Sequence, residues 1–242
     1  MKDWHVHIGQ YFEEYYDYHN VFSAVKDNGI NEIVLAYLTP RFIDEKNAVD
    51  FFLAVEEELN YAVQFAKGIE LKVSCLYWAD PLVLKIITLE QIFSNFPYSG
   101  IAIHPIVHDW VKLFPEMLSE IFDFSRKQRL PIFIHTGESE SDRPIIFEKW
   151  FIDFPEVEVH LAHCKDSKSI IELFSKYQNL WGDTAFCPKD SYNAICNAGF
   201  QHRMYFGTDF PITHYYYNKH SSTKRTLAEQ YKIDCFSYDE VP

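Results

Sequence analysis

Long apolar runs are missing from this chain: no stretch of 18 or more apolar residues occurs, so a membrane-spanning helix is not expected. No tract rich in Gly, Pro or Ser divides the 242 residues, and glycine itself is scarce at eight, so one domain over residues 1–242 is expected. Repeats and low-complexity segments are absent too. The five cysteines, at 75, 164, 187, 196 and 235, are odd in number and lack a Cys-x-x-Cys spacing, which speaks against a disulfide framework and suits reduced thiols. Cations are few, with 22 Lys and Arg against 35 Asp and Glu and a net charge of −13. A polyanion needs clustered cations to displace its counterions, so nucleic acid is not an expected partner, whereas a small molecule is. A secretory leader is not expected either, because the first strand begins almost at Met1 and carries two candidate ligands, which makes a cytoplasmic protein the expectation.

What the chain does contain is apolar content, 48% hydrophobic and 17% aromatic, enough for one large core. It is arranged in two alternating patterns. Short β-branched runs over 4–8, 32–38, 71–77, 100–104, 131–135, 157–161, 180–184 and 204–207 predict eight strands. Helical periodicity fills the intervals at 21–28, 48–67, 82–93, 111–127, 144–154, 169–177 and 189–198, with a less regular stretch near 221–231. Such alternation gives an α/β protein with parallel strands, and eight units match a (β/α)8 TIM barrel of about 250 residues. A doubly wound open sheet would alternate in the same way.

The chemistry gathers at strand ends. His5-Val6-His7 places two imidazoles at i and i+2 of the first strand, on one face, where both can reach one metal ion. Composition alone would produce such a pair often, so its weight comes from further polar residues at matching positions on later strands. The fourth strand ends at His104, the fifth at His135, the sixth at His160-Leu161-Ala162-His163 and the eighth at Thr208-Asp209. In a barrel the C-terminal strand ends form the reactive mouth, which gives these five strands one destination.

The ordered set resembles the amidohydrolase superfamily, and within it the amidohydrolase-related (amidohydrolase 2) branch of metal-dependent TIM-barrel hydrolases and decarboxylases. The segments that carry the resemblance are His5-Val6-His7, Gly29-Ile30-Asn31-Glu32-Ile33-Val34, Gly100-Ile101-Ala102-Ile103-His104-Pro105, Pro131-Ile132-Phe133-Ile134-His135-Thr136-Gly137, Val159-His160-Leu161-Ala162-His163-Cys164, Asn179-Leu180-Trp181-Gly182-Asp183-Thr184 and His202-Arg203-Met204-Tyr205-Phe206-Gly207-Thr208-Asp209-Phe210-Pro211. The resemblance implies His5, His7, His135 and Asp209 as metal ligands and His163 as a catalytic or substrate-facing residue. One departure matters. Where many members carry a lysine or glutamate on the fourth strand that bridges two metals, this chain has Ala102. Two cations close together need such a bridging anion, so one divalent metal ion is expected. The same absence counts against the TatD-like nuclease branch.

Three imidazoles and a carboxylate suit Zn2+, with Mn2+, Fe2+, Co2+ and Ni2+ left open. A metal-activated water would be the nucleophile, Asp209 could take its proton, and His163 could polarise the scissile carbonyl, hold the oxyanion or donate a proton. His104, Trp78 and Arg41 are the candidate substrate-binding residues, although His104 could instead order the turn before Pro105. Arg143 and Lys165 are further cations near strand ends, and Tyr215, Tyr216 and Tyr217 are placed in the loop after the eighth strand. Cys164 should face away from His163 into the helix layer. The leading expectation is a mononuclear hydrolase of a small amide, cyclic amide or lactone. A non-oxidative decarboxylase on the same ligands and a catalytically silent binding protein are the alternatives, and a homo-oligomer remains open.

Overall fold

Strand and helix alternate through the computed structural model, which describes residues 1–38 and 47–236. In chain order the elements are β1 (Lys2–Tyr11), β2 (Glu14–Tyr16), α1 (Tyr18–Asp27), β3 (Glu32–Leu38), α2 (Ala48–Gly68), β4 (Lys72–Trp78), α3 (Pro81–Leu84), α4 (Leu89–Asn95), β5 (Gly100–Ile103) and α5 (Trp110–Leu113). They continue with α6 (Pro115–Gln128), β6 (Ile132–His135), α7 (Glu148–Asp153), β7 (Val159–Ala162), α8 (Ser167–Lys176), β8 (Leu180–Asp183), α9 (Lys189–Asn197), β9 (Met204–Tyr205), α10 (Ile212–His220) and α11 (Leu227–Phe236). Contact density divides the chain into two units, Met1–Leu76 with the segment from Phe206 onward, and Tyr77–Tyr205.

In the first unit β1 pairs in parallel with β3, and β3 with β4. β3 is apolar throughout its centre and buried from Ile33 to Leu38, as a strand covered on both faces must be. The pairing of β1 with β3 slips between Asp3 and Val6, where three steps along β1 span two along β3. That bulge lies under His5, and such irregularities re-aim side chains. The segment after β9 runs beside β1: Trp4 N donates to Phe206 O at 2.9 Å, Asp209 N to His5 O at 2.8 Å and His7 N to Phe210 O at 2.7 Å. Helix α1 starts where the Asp17 side chain accepts from Asn20 N, and it buries Val21, Phe22, Ala24 and Val25.

In the second unit β5, β6, β7, β8 and β9 pair in parallel, each with the next in sequence. In the second unit the order of strands follows the chain, and in the first it is β2-β1-β3-β4, with the antiparallel β2 outside β1; among the described residues the parallel strands of each unit show no reversal of the kind a doubly wound sheet requires. Helix α8 shows the local logic: Asp166 caps its start through Ser169 N, and Ile170, Leu173 and Phe174 form its buried face.

Several expectations need correction. The hairpin strand β2, antiparallel to the end of β1, was not foreseen. The helix expected over 82–93 is two, because Ile86, Ile87 and Thr88 interrupt it and Thr88 opens α4 with a capping box to Gln91. The stretch near 221–231 is preceded by α10, so Tyr215, Tyr216 and Tyr217 lie on a helix instead of a loop. The eighth expected strand is regular only at Met204–Tyr205. Among the described residues no helix is long and apolar enough to cross a membrane.

Candidate metal centre

In the first unit His5, His7 and Asp209 converge. His7 Nε2 lies 2.9 Å and His5 Nε2 3.3 Å from the same oxygen, Asp209 Oδ1, and the two rings meet edge-on at 5.0 Å. Their ligand atoms are close enough together to hold one ion. His7 is 5% exposed and Asp209 6%, so this charge cluster is withdrawn from water. Asp209 adopts a left-handed φ of 58°, a conformation that costs about 1–3 kcal/mol and persists where its surroundings impose it. Its neighbours do so: Asp209 N is bonded to His5 O, and Ile212 N to Asp209 O at 2.9 Å.

The hydrogen bonds fix where the lone pairs point. His7 Nδ1 lies 2.9 Å from Ala36 O and must donate to it, which puts the lone pair of the neutral ring on Nε2, facing the Asp209 carboxylate. Two acceptors at 2.9 Å repel unless a proton or a cation lies between them. Imidazole ligands oriented by a backbone carbonyl on the opposite nitrogen are what a divalent ion requires, so these residues fit a metal.

Asp3, which sequence reasoning did not single out, holds the cluster from behind. Fully buried, it accepts from His5 N (3.0 Å), Thr208 N (3.2 Å), Thr208 Oγ1 (2.7 Å) and Tyr231 Oη (2.8 Å). Burial pushes its carboxyl up to about 6 while these donors pull it back. One side chain thus ties β1, the Thr208-Asp209 turn and α11. Its sequence signal, an Asp two residues before the first ligand, is too common to have marked it.

The second unit brings together His104, His135, His163 and Trp78. Trp78 stacks on His104 at 5.3 Å and His104 on His135 at 4.0 Å, so His104 belongs to a ring column rather than only to the turn before Pro105. His163, with a left-handed φ of 71°, lies with Nδ1 2.9 Å from Ala185 O and Nε2 3.0 Å from His135 Nδ1. Donation to Ala185 O makes Nε2 of neutral His163 an acceptor. His135 Nδ1 therefore donates to it and carries its own lone pair on Nε2, which lies 3.7 Å from Asp142 Oδ2. This is the tautomer a metal-ligating His135 would need.

Two further carboxylates, Asp183 and Asp142, support this arrangement and were not among the expected site residues. Asp183 Oδ1 accepts from His163 N at 2.9 Å and Ala185 N at 3.1 Å, which aims the Ala185 carbonyl at the His163 ring. Buried Asp142 accepts from Ser139 N at 2.8 Å, and a Cβ on Gly137 would collide with its Oδ2, so only glycine lets it approach. A third acid, Asp80, follows the Trp78 end of β4 and lies 3.7 Å from His108 Nε2; burial holds the His108 imidazole below its ordinary range against the pull of Asp80.

Of the other expected residues, Arg41 lies outside the described ones. Arg143 donates through Nε to Glu138 O, and Lys165 lies 5.7 Å from the Phe186 ring centre. Cys164 is fully buried, donates to Leu161 O and lies against Gly182, with burial raising its thiol well above the ordinary value; it lies beyond the end of β7 with a left-handed φ of 41°, so the strand parity expected for it does not apply. Ala102, at the position of the bridging residue, is buried in β5 and offers only a methyl group.

A family model described as amidohydrolase matches residues 95–231. A search of curated proteins gave no significant match. Among solved structures the chain is similar to a probable 2-pyrone-4,6-dicarboxylic acid hydrolase from Acinetobacter baumannii with citric acid bound, at 12% identity and a TM-score of 0.61 over 97% of this chain and 92% of that one. It is similar to a TatD-like protein from Archaeoglobus fulgidus, at 12% identity and a TM-score of 0.60 over 99% and 94%. A third likeness is to a variant of 5-carboxyvanillate decarboxylase from Novosphingobium aromaticivorans with bound manganese, at 11% identity and a TM-score of 0.56 over 88% and 73%.

Proposed function

Because this chain belongs to the amidohydrolase family, we propose that it is a mononuclear metal-dependent hydrolase acting on a small amide, cyclic amide or lactone. The observation that carries this reading is the convergence of His5 and His7 Nε2 on Asp209 Oδ1, with His7 locked by Ala36 O in the ligating tautomer. His135 is assigned as the further ligand, on the family resemblance and on its Nε2 lone pair, and the (β/α)8 closure this assumes is taken from the same resemblance. Zinc is the first choice, with manganese, iron, cobalt and nickel behind it. When bound, such an ion lowers the pKa of a coordinated water from about 15.7 towards about 7 and polarises a carbonyl.

The protein's own groups supply the rest. Asp209 is assigned to take the proton of the attacking water, since its carboxylate lies at the ligand cluster, and to return it to the leaving group. His163 is assigned to the substrate carbonyl or leaving group. Trp78 and His104 are assigned to the substrate, and Arg41 joins them as a proposal from sequence.

A decarboxylase is the second reading, favoured by the Trp78, His104 and His135 ring column, which would present a flat wall to a planar acid. Metal analysis by mass spectrometry, on protein purified without chelators, tests the common premise. About one equivalent of a transition metal is expected in the parent, with most of it lost in His5→Ala and Asp209→Asn. About two equivalents would overturn the argument from Ala102, and none after reconstitution with zinc or manganese would end both readings. Acid release from lactones and amides then separates the hydrolase from CO2 release by carboxylic acids.

A further inference from the structure

The first unit contains an aromatic cluster that the metal reading does not use, formed where the β1–β2 turn meets α10. Tyr11 lies four residues beyond His7 on β1, and α10 begins three residues after Asp209. The Tyr11 ring meets Tyr215 edge-on at 5.0 Å and Tyr216 at 6.1 Å, while Phe12 stacks on Tyr215 at 5.6 Å.

The phenols in this cluster are employed differently. Tyr215 is buried, its hydroxyl donating to Glu13 (3.0 Å) and accepting from Lys219 Nζ (2.7 Å), a clasp that holds the hairpin to the helix. Tyr11 and Tyr216 instead point their hydroxyls at one another, 3.0 Å apart, and Tyr216 is 42% exposed. Burial raises the Tyr11 phenol above its ordinary range, with the bond to Tyr216 and the Asp209 carboxylate adding to it, so it remains a donor. A phenol pair near solvent can exchange its mutual bond for one to a ligand at small net cost. Two phenols bring no positive charge of their own, so the pair suits a neutral oxygen acceptor better than a carboxylate.

We propose that the Tyr11 and Tyr216 hydroxyls determine specificity at the His5, His7 and Asp209 cluster by hydrogen bonding the neutral carbonyl or ring oxygen of a planar lactone or aryl ester, whose plane the neighbouring rings hold. This rests on the hydrolase reading and narrows it to neutral, ring-bearing substrates. The test measures binding of coumarin, a neutral aryl lactone, and of benzoate, a planar carboxylate, to the zinc-reconstituted protein by ligand-observed NMR, with metal content and melting midpoint determined on the same samples. Tyr11→Phe and Tyr216→Phe should each raise the coumarin Kd about five- to tenfold, leave the benzoate Kd unchanged and preserve the midpoint. Tyr215→Phe should lower the midpoint and keep the ratio of the two affinities, because it only loosens the clasp. A parent that does not bind coumarin, an unchanged coumarin Kd in both variants, or a parallel shift for benzoate would overturn the proposal. If those failures occur in protein that holds about one zinc, the metal reading stands without the phenol pair. If the parent holds no metal but the coumarin affinity still falls in the variants, the pair stands and the metal reading fails.

Discussion

Asp3 shows how one buried carboxylate can govern a site it does not enter. Its four bonds reach β1, the Thr208 turn and α11, so removing it strands donors that have no water to turn to. Asp3→Ala should cost about 2–4 kcal/mol in denaturant unfolding. Asp3→Asn, which keeps the volume, should weaken metal affinity about 10- to 100-fold in a chelator competition, the usual effect of losing a group that orients ligands. Unchanged affinity would show that the His5 and Asp209 geometry holds without it. A second acid, Asp234 on α11, carries a pH dependence. Burial pushes it up to about 7 from an ordinary 3.8, opposed by bonds from Thr213 Oγ1 (2.5 Å) and Gln230 Nε2 (2.8 Å), with Asp3 and Asp209 adding repulsion. Between those two values the folded chain keeps a proton that the unfolded chain has released. The favourable contribution is therefore complete at low pH and disappears as pH rises through about 7. Asn at 234 can keep both bonds, since the Thr213 hydroxyl can turn to accept. Asp234→Asn should raise the melting midpoint above the parent's at pH 8 and match it at pH 4; equal gains at both would rule out the charge as the cause.

At the scale of elements, β1 is the decisive strand, and Gly9 is its least replaceable residue. Its φ of +104° is strained for any L side chain, and a Cβ there would lie 2.7 Å from the Tyr37 ring and 2.8 Å from Leu38 O. Gly9→Ala should lose about 1–3 kcal/mol and disturb the β1–β3 register near the ligands, visible as a lower unfolding midpoint and reduced metal content together. Much of this architecture could be read from sequence, because β3, with its continuous apolar run, and α8, with its capped amphipathic face, declare themselves locally. The hairpin strand β2 could not be, since three residues of Glu-Tyr-Tyr become a strand only by pairing with the end of β1. The break between α3 and α4 was legible in principle, as Thr88 and Gln91 spell a capping box, but apolar periodicity ran through it. For the site, His5 and His7 stood out through parity on a strand taken together with the polar ends of later strands. Asp3 and Asp183 escaped because their partners, Thr208 and Tyr231 for one and the Ala185 amide for the other, are specified only by folding.

Across the whole chain, three of the four ligands expected to share an ion stand at positions 5, 7 and 209, and the fold of the first unit brings these distant segments together. An ion held there would act as a clip between the first strand and the segment after the last. Closing a loop of such length is entropically expensive, although the cost grows only slowly with length, and any ligand specific for the folded state offsets part of it. Free ion at 100 times its Kd contributes about 2.7 kcal/mol, which for a chain of this size corresponds to about 5–10 °C in melting midpoint. EDTA treatment should lower the midpoint of the parent by that amount, and zinc or manganese added back should restore it. Asp209→Asn should melt alike with or without the chelator, because it has already lost the shared carboxylate. His163→Ala, by contrast, should keep the EDTA response, since that residue is assigned to the substrate and not to the ion. A parent whose midpoint ignores both EDTA and added metal would show that the His5, His7 and Asp209 cluster folds without a cation, with a proton on His7 satisfying the 2.9 Å contact.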